Sequence, residues 1–456
     1  MTVAETRTGT GSGMATPTGT GTGTDVRRGT DTDTDMGTGR DPAVPSGTSR
    51  ATGAGPRPRA RRDGPPSGVF LAVIALCTAV TAANIYLAAP LLNLIARDLG
   101  VAPSAAGWIA SVAQLGYAAG LLLFAPLGDT ANRRRLVGAL SAAAGVALVV
   151  AGLAPGLPAL GAAVFAASAA TVVPQLLVPL VAERAPAARR GRHLGVVVAG
   201  LFAGVVAARV LGGLAGQAYG WRAVFLGAAG LTALIGLATA ALLPAETRPR
   251  AKTHPSAILK GVARVPRMLA TSSELRSACL RQAGLYGAWS ALWTALALLL
   301  TGPGYGMSTG TAGLFGLFGL TASAVAPLSG GLVDRFGVTR VVGAAYVLAA
   351  ASVPLFWLGG SWIWALCAAA VLLHAGLTAG QVANQTRALT STASPATANT
   401  AYIVSAFIGG ATASALAGPA FERWGWGGVC AVAVCWLALG WLGAARRRPG
   451  RATRTR

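Results

Sequence analysis

From Val69 onward, apolar stretches of about 20 residues recur along the chain, each long enough to cross a hydrocarbon layer about 30 Å thick as a helix. They fall at roughly 69–95, 105–127, 136–154, 158–182, 194–216, 223–243, 281–301, 311–329, 341–358, 361–382, 398–418 and 425–444. Only 11% of the chain is charged, against about a quarter in a soluble domain. The spacing therefore predicts an all-α polytopic membrane protein with twelve transmembrane helices. Glycine, at 62 residues, suits such spans because it lets neighbouring helices approach closely.

Charge orients the helices. Of 37 basic residues, those on the connections facing one side are Arg97, Arg222 and Arg423 alone. The opposite side holds "RRR" (133–135), "ERAPAARRGRH" (183–193), the "ETRPRAKTH" stretch and the "RRRPGRATRTR" end. The positive-inside rule then puts both termini in the cytoplasm, with the basic loops facing the anionic inner leaflet of a cell membrane. The formal net charge of +23 thus needs no nucleic-acid partner. Residues 1–68 are rich in Gly, Thr and Asp without apolar period and read as a disordered cytoplasmic tail. The pair Arg27–Arg28 is followed by no apolar stretch before Val69, which excludes a twin-arginine signal.

An offset of 205 residues superposes the chain on itself. It aligns Leu127, Asp129, Asn132 and Arg135 with Leu332, Asp334, Gly337 and Arg340. It also aligns Gly220–Trp221 with Gly425–Trp426, Phe202 with Phe407, Gly204 with Gly409, and Gly213 with Gly418. The expected organisation is a six-helix bundle at 69–243, a cytoplasmic linker at 244–280, a second bundle at 281–444 and a basic tail at 445–456. Two parallel repeats of this kind place a substrate site between the halves near the midplane.

The loop "APLGDTANRRRL" (125–136) and its weaker copy "GGLVDRFGVTRV" (330–341) resemble the helix 2–3 and helix 8–9 signatures of the major facilitator superfamily. Asn132 stands where the family has glycine, and Asn tolerates a left-handed turn. The fifth span resembles the antiporter signature of that family. Gly195, Gly204, Ala208–Arg209 and Gly212–Gly213 keep its spacing, with Ala-Arg in place of Gly-Pro. With "VVPQLLVP" (172–179) and "GWRAVF" (220–225), the resemblance is to drug-efflux-like, proton-antiporter bacterial members. The fourth span lacks the intramembrane arginine that many of these carry. The resemblance implies a conformational latch of Asp129, Arg133, Arg134 and Arg135 in the first half and Asp334, Arg335 and Arg340 in the second. Gly195, Gly204, Ala208, Gly212 and Gly213 read as helix-packing positions.

Charges within a bilayer are costly and tend to be functional. Arg209 either snorkels to the outer interface or presents a fixed positive charge to the cavity. His374 is the one mid-span group that titrates near neutral pH, and with the loop-edge Asp129 it is the candidate proton carrier. No Asp or Glu lies mid-span. The resemblance implies that helices 1, 4, 7 and 10 line the cavity, which supplies Asn84, Tyr86, Gln175, Tyr286, Trp289, Trp293, His374 and Gln381; Gln114 and Tyr117 on helix 2 join them. Tyr286, Trp289 and Trp293 share one helical face, as a packing or lipid-facing stripe or as a stacking wall for substrate.

No phosphate-binding loop, metal-spaced His/Cys set or HExxH is present in the sequence, so no metal or cofactor is expected. The five cysteines read as buried thiols. The function expected is a monomeric secondary exporter of a drug-like compound or metabolite, working by alternating access and proton antiport. The alternatives are an uptake permease, a narrow-range sugar or anion exporter and, more remotely, a membrane sensor or polytopic enzyme.

Overall fold

A computed structural model of the chain describes residues 68–186, 189–243 and 255–445. Apart from Gly68 and Ala445, the expected disordered and basic tails lie outside these residues, as does the "ETRPRAKTH" stretch.

Ten helices are long and apolar enough to cross a membrane. Two of them run for 51 and 50 residues and are each interrupted by one glycine, Gly220 (φ 79°) and Gly425 (φ 63°). A positive φ is accessible to glycine without the penalty other residues carry. The crossings are α1 (Gly68–Tyr86), α2 (Pro103–Phe124), α3 (Arg133–Gly152), α4 (Leu157–Arg184), α5 and α6 on either side of Gly220, α7 (Ser273–Thr301), α8 (Thr309–Phe336), α9 (Val338–Leu358), α10 (Ile363–Thr390), and α11 and α12 on either side of Gly425. All twelve expected spans are therefore present among the described residues.

Helix contacts fix their senses. Gly200, Gly204 and Gly212 of α5 meet Ala75 and Ala79 of α1 and Leu87 just beyond its end, in the same order, so these helices are parallel. Gly138, Gly145 and Gly152 of α3 meet Ala240, Ala233 and Leu226 of α6 in reverse order. The chain thus turns back at Gly220.

The 205-residue repeat is visible in the packing. A Cβ on Gly213 would stand 2.9 Å from the Thr309 carbonyl, and one on Gly418 would stand 3.0 Å from the Ser104 carbonyl. Each residue of the first pair lies 205 positions from a residue of the second, with the halves that supply the glycine and the facing carbonyl exchanged. These are the α5–α8 and α2–α11 contacts between the halves, near the end opposite the basic loops.

The perimeter is apolar: Leu153, Leu234, Val347, Trp364 and Leu439 are exposed, as a lipid-facing surface requires. Inside each half, buried side chains such as Leu71, Leu121 and Leu177, or Leu285, Val342 and Leu373, fill the bundle.

Several expectations are corrected. The first crossing ends at Tyr86 and not near 95, because Pro90 cannot donate to a continuing helix; a 3-10 turn Ala89–Leu91 and a short helix Leu92–Asp98 follow. The stretch expected as linker contains a helix, Pro255–Thr271, and α7 already begins at Ser273. Asp334 and Arg335 belong to the last turn of α8. Asn132 is not left-handed: its φ is −66°, and its side chain caps α3 by accepting from the Arg135 N–H at 3.1 Å. Gly337, its counterpart, does adopt φ 80°. Cys435 is exposed on the perimeter and Cys367 is half-buried, so only Cys77, Cys279 and Cys430 fit the buried reading.

Candidate functional site

Where α5 meets α8 between the halves, Arg209 is 6% exposed. Gly313 and Gly316 of α8 make the room: a Cβ there would lie 2.6 Å from the Arg209 carbonyl and 2.7 Å from its Cβ, respectively. The guanidinium lies over three rings, 5.5 Å from Tyr86, 4.8 Å from Trp289 and 4.4 Å from Trp293. In a desolvated setting each such contact contributes up to about 2 kcal/mol. Arg209 therefore does not snorkel to an interface. It is caged by α1 from its own half and α7 from the other.

The cage is braced. The Tyr86 and Tyr286 hydroxyls are 2.7 Å apart, Tyr286 stacks on Trp289 at 5.2 Å, and Tyr86 meets Trp289 edge-on. Trp289 Nε1 donates to His374 Nε2 at 3.2 Å, and His374 Nδ1 lies 2.8 Å from the Ala370 carbonyl. That pairing suits a neutral imidazole with its proton on Nδ1. Tyr286, Trp289 and Trp293 are all buried, which excludes a lipid-facing stripe.

Beside the cage lies a cavity of ≈ 30 Å³, lined by Arg209, Trp293, Pro90, Leu296, Ala312 and Gly316 among others. Arg209 Nη1 and Trp293 Nε1 are buried and have no hydrogen-bond partner among the described residues.

The remaining candidates sit around this centre. Gln114 donates to Ser290 at 2.8 Å and to Ser414 at 3.2 Å, and Thr294 lies 2.9 Å from Ser414. This hydroxyl cluster joins α2 to α7 and α11, and Ser290, Thr294 and Ser414 were not anticipated from sequence. Their signal was faint, because Ser and Thr in apolar spans usually bond back to their own helix. Gln175 donates to the Tyr117 hydroxyl at 3.3 Å, and Tyr117 packs on Phe407 of the other half. Asn84 donates to Thr232 at 3.0 Å, within the first half. Gln381 is half-buried, and its carbonyl accepts from Tyr402.

Of the helix-packing glycines, Gly204 is held tightest, with the Ala79 carbonyl 2.0 Å from where its Cβ would be. Ala208 is buried and Gly212 is in ordinary contact with Leu87 and Pro90. Gly195 departs from the expectation: a Cβ there meets nothing within 4 Å, so no helix approaches it closely.

At the basic end, Arg133 is buried and binds both oxygens of Glu183 at 2.7 and 2.8 Å, while its Nε donates to the Gly128 carbonyl. This ties α3 to α4 within one half. Glu183 was missed in sequence, although an acid closing α4 beside a basic run was its signal. Arg134, Arg135, Asp334, Arg335 and Arg340 are exposed. Asp129 lies in a short helix, Leu127–Thr130, but its side chain is outside the described set.

At the opposite end the halves are stitched together. Gln217 accepts from the Gly310 N–H at 2.8 Å, Asn93 donates to Thr301, and Ser104 donates to Glu422. Within the first half at this end, Arg222 pairs with Asp98 at 3.1 Å, and Trp221 donates to the same carboxylate. Toward the basic end, by contrast, Val196 and Val198 of α5 and Leu328, Leu332 and Phe336 of α8 are exposed.

Comparison with known proteins agrees with this architecture. Residues 74–281 match the family model described as Major Facilitator Superfamily. A "Probable transporter SCO4007" of Streptomyces coelicolor is 66% identical over 412 residues, covering 89% of this chain and 95% of that protein. An "Uncharacterized transporter YgaY" of Escherichia coli O157:H7 is 33% identical over 390 residues, covering 84% and 97%. Among solved structures, an inward-facing bacterial homolog of the human lysosomal transporter Spinster superposes with TM-score 0.63 at 16% identity, covering 83% of this chain and 95% of that one. A POT family transporter in complex with 5-aminolevulinic acid superposes with TM-score 0.67 at 14% identity, covering 84% and 98%. At these identities the structures speak for the fold alone. The chain belongs to the major facilitator superfamily and is a multi-pass membrane transporter, not an enzyme.

Proposed function

We propose that the protein exports a small molecule, a drug-like compound or metabolite, from the bacterial cytoplasm by alternating access coupled to proton antiport. The observation that carries this reading is α5. Its antiporter-like spacing coincides with close packing of Gly204 on α1 and of Gly213 on α8, and Arg209 lies between them. Orientation follows the positive-inside rule, with both termini cytoplasmic and the basic end facing an anionic leaflet. The linker helix supports that placement: Val265 is buried while Arg264 and Arg267 are exposed.

In this orientation the stitched end is extracellular, and the exposed stretches of α5 and α8 face the cytoplasm. The state described is then closed at the extracellular end, while at the cytoplasmic end α2 and α11 stay in contact, with Leu122 packed in one cluster with Tyr402 and Ile403. Movement of the halves exchanges the two closures, with Asp129, the arginines 133–135 and their second-half counterparts Asp334, Arg335 and Arg340 latching the cytoplasmic side. His374, held as a neutral ring by partners on both nitrogens, is poorly placed to carry the proton. Asp129 at the basic end is the remaining candidate. The test is a compound screen in everted vesicles with a pH-sensitive dye. A compound that dissipates the proton gradient only when the protein is present is the expected result; none among a broad panel would overturn proton antiport.

A further inference from the structure

The cavity beside Arg209 has an unusual balance of polar groups. Two residues of its lining carry buried donors, Arg209 Nη1 from the first half and Trp293 Nε1 from the second, and neither atom has a partner among the described residues. The rest of the lining is apolar, including Pro90, Leu296 and Ala312. The three rings around the guanidinium offer π faces but no lone pairs, so they steady the cation without satisfying its N–H groups. No described acid comes to its aid: Asp98 is held by Arg222 and Trp221, and Glu422 by Ser104. His374 Nε2 is already taken by Trp289. A buried donor left unpaired beside a charge is costly, and that cost is relieved by an acceptor that arrives from outside the chain.

We infer that this site takes the carboxylate of a small organic monoanion, with one oxygen on Arg209 Nη1 and the other on Trp293 Nε1. One positive charge and one neutral donor match a two-oxygen, singly charged group. A phosphate dianion would leave oxygens without donors. The lining beside these donors, with Leu296 and Ala312, is apolar and suits the body of such an anion. Because the two donors belong to different halves, the bound carboxylate bridges them, and its binding reports directly on whether they are apposed. This names a substrate class for the transporter proposed above and rests on that reading.

The test uses the full chain in detergent, with intrinsic tryptophan fluorescence and thermal melting as readouts. Monocarboxylates from acetate to benzoate and decanoate are compared with their neutral amides, with benzylammonium and with inorganic phosphate. At least one carboxylate should bind at least tenfold more tightly than its amide, with phosphate and benzylammonium weaker still. Arg209→Gln should abolish that preference, and Trp293→Phe should weaken carboxylate binding several-fold while keeping it. Equal binding of acid and amide, tighter binding of phosphate or no carboxylate binding overturns the inference in wild-type protein, with no variant needed. Transport in reconstituted liposomes separates the two readings. Proton-coupled movement of neutral or cationic compounds without carboxylate binding removes the anion class and leaves the exporter. Carboxylate binding at Arg209 without translocation removes the exporter and leaves the site.

Discussion

The glycines of α5 were grouped by sequence as one packing motif, but their surroundings give them different stability effects. An alanine Cβ at Gly204 would stand 2.0 Å from the Ala79 carbonyl oxygen and 2.7 Å from its Cα. These are backbone atoms, so no rotamer change relieves the clash, and α1 and α5 would have to separate by more than an ångström. Overpacking of this kind costs about 1–3 kcal/mol, and the backbone obstruction puts Gly204→Ala at the upper end. The helix preference of alanine returns about 1 kcal/mol, leaving a net loss of about 2 kcal/mol. Gly409→Ala meets the Ala283 carbonyl at 2.6 Å and should lose less. Gly195→Ala meets nothing and should keep or raise stability. Melting in detergent, followed by a thiol-reactive dye that reaches buried Cys77 and Cys279 on unfolding, gives the order. Gly204→Ala should melt lowest, then Gly409→Ala, then wild type, with Gly195→Ala at or above it. If Gly195→Ala melts with or below Gly204→Ala, the assignment of α1–α5 close packing is wrong.

Three further outcomes are expected. Glu183→Gln breaks the two-pronged bond to buried Arg133 and should cost about 1–2 kcal/mol, the pair being half open to solvent; melting reads it, and Arg133→Met should lose no less. His374→Gln keeps an acceptor for Trp289 and should retain gradient-driven transport, whereas His374→Leu strands that N–H and should cost about 1–3 kcal/mol of stability; loss of proton coupling in His374→Gln with normal melting would return the proton to this residue. Gly313→Val drives a side chain against the Arg209 carbonyl and should part α5 from α8, so a cysteine placed at Gln217 should label faster from the extracellular side than in the parent chain.

Much of this architecture could be read from the chain, for a reason specific to its setting. A bilayer demands long apolar helices and sorts arginine to one side, so span number and expected orientation follow from composition alone. The offset of 205 was legible because Gly220 and Gly425 must take positive φ and Gly213 and Gly418 must admit a facing backbone. What was not legible depended on partners distant in sequence. Asn132 could serve as a left-handed residue or a cap, and only the start of α3 decides for the cap. The stripe Tyr286, Trp289 and Trp293 gave its face but not its neighbour, Arg209, seventy-seven or more positions away. Ser290 and Ser414 lie 124 positions apart, yet their hydroxyls are 2.8 Å from each other and Gln114 of the other half donates to both.

The glycine exchange at 213 and 418 has a consequence for how such a duplicated scaffold diverges. Counting 205 residues from Arg209 leads to Ser414, so the mirror of the caged cation is a small hydroxyl held by Gln114. Both positions lie one helical turn from their glycine. The glycines keep the two seams superposable in shape, and their neighbours make one seam charged and the other neutral. A molecule in the middle therefore meets a left side and a right side that differ, although the backbone around it is nearly two-fold. Form and discrimination are written on the same helix, four residues apart, and each can change without the other.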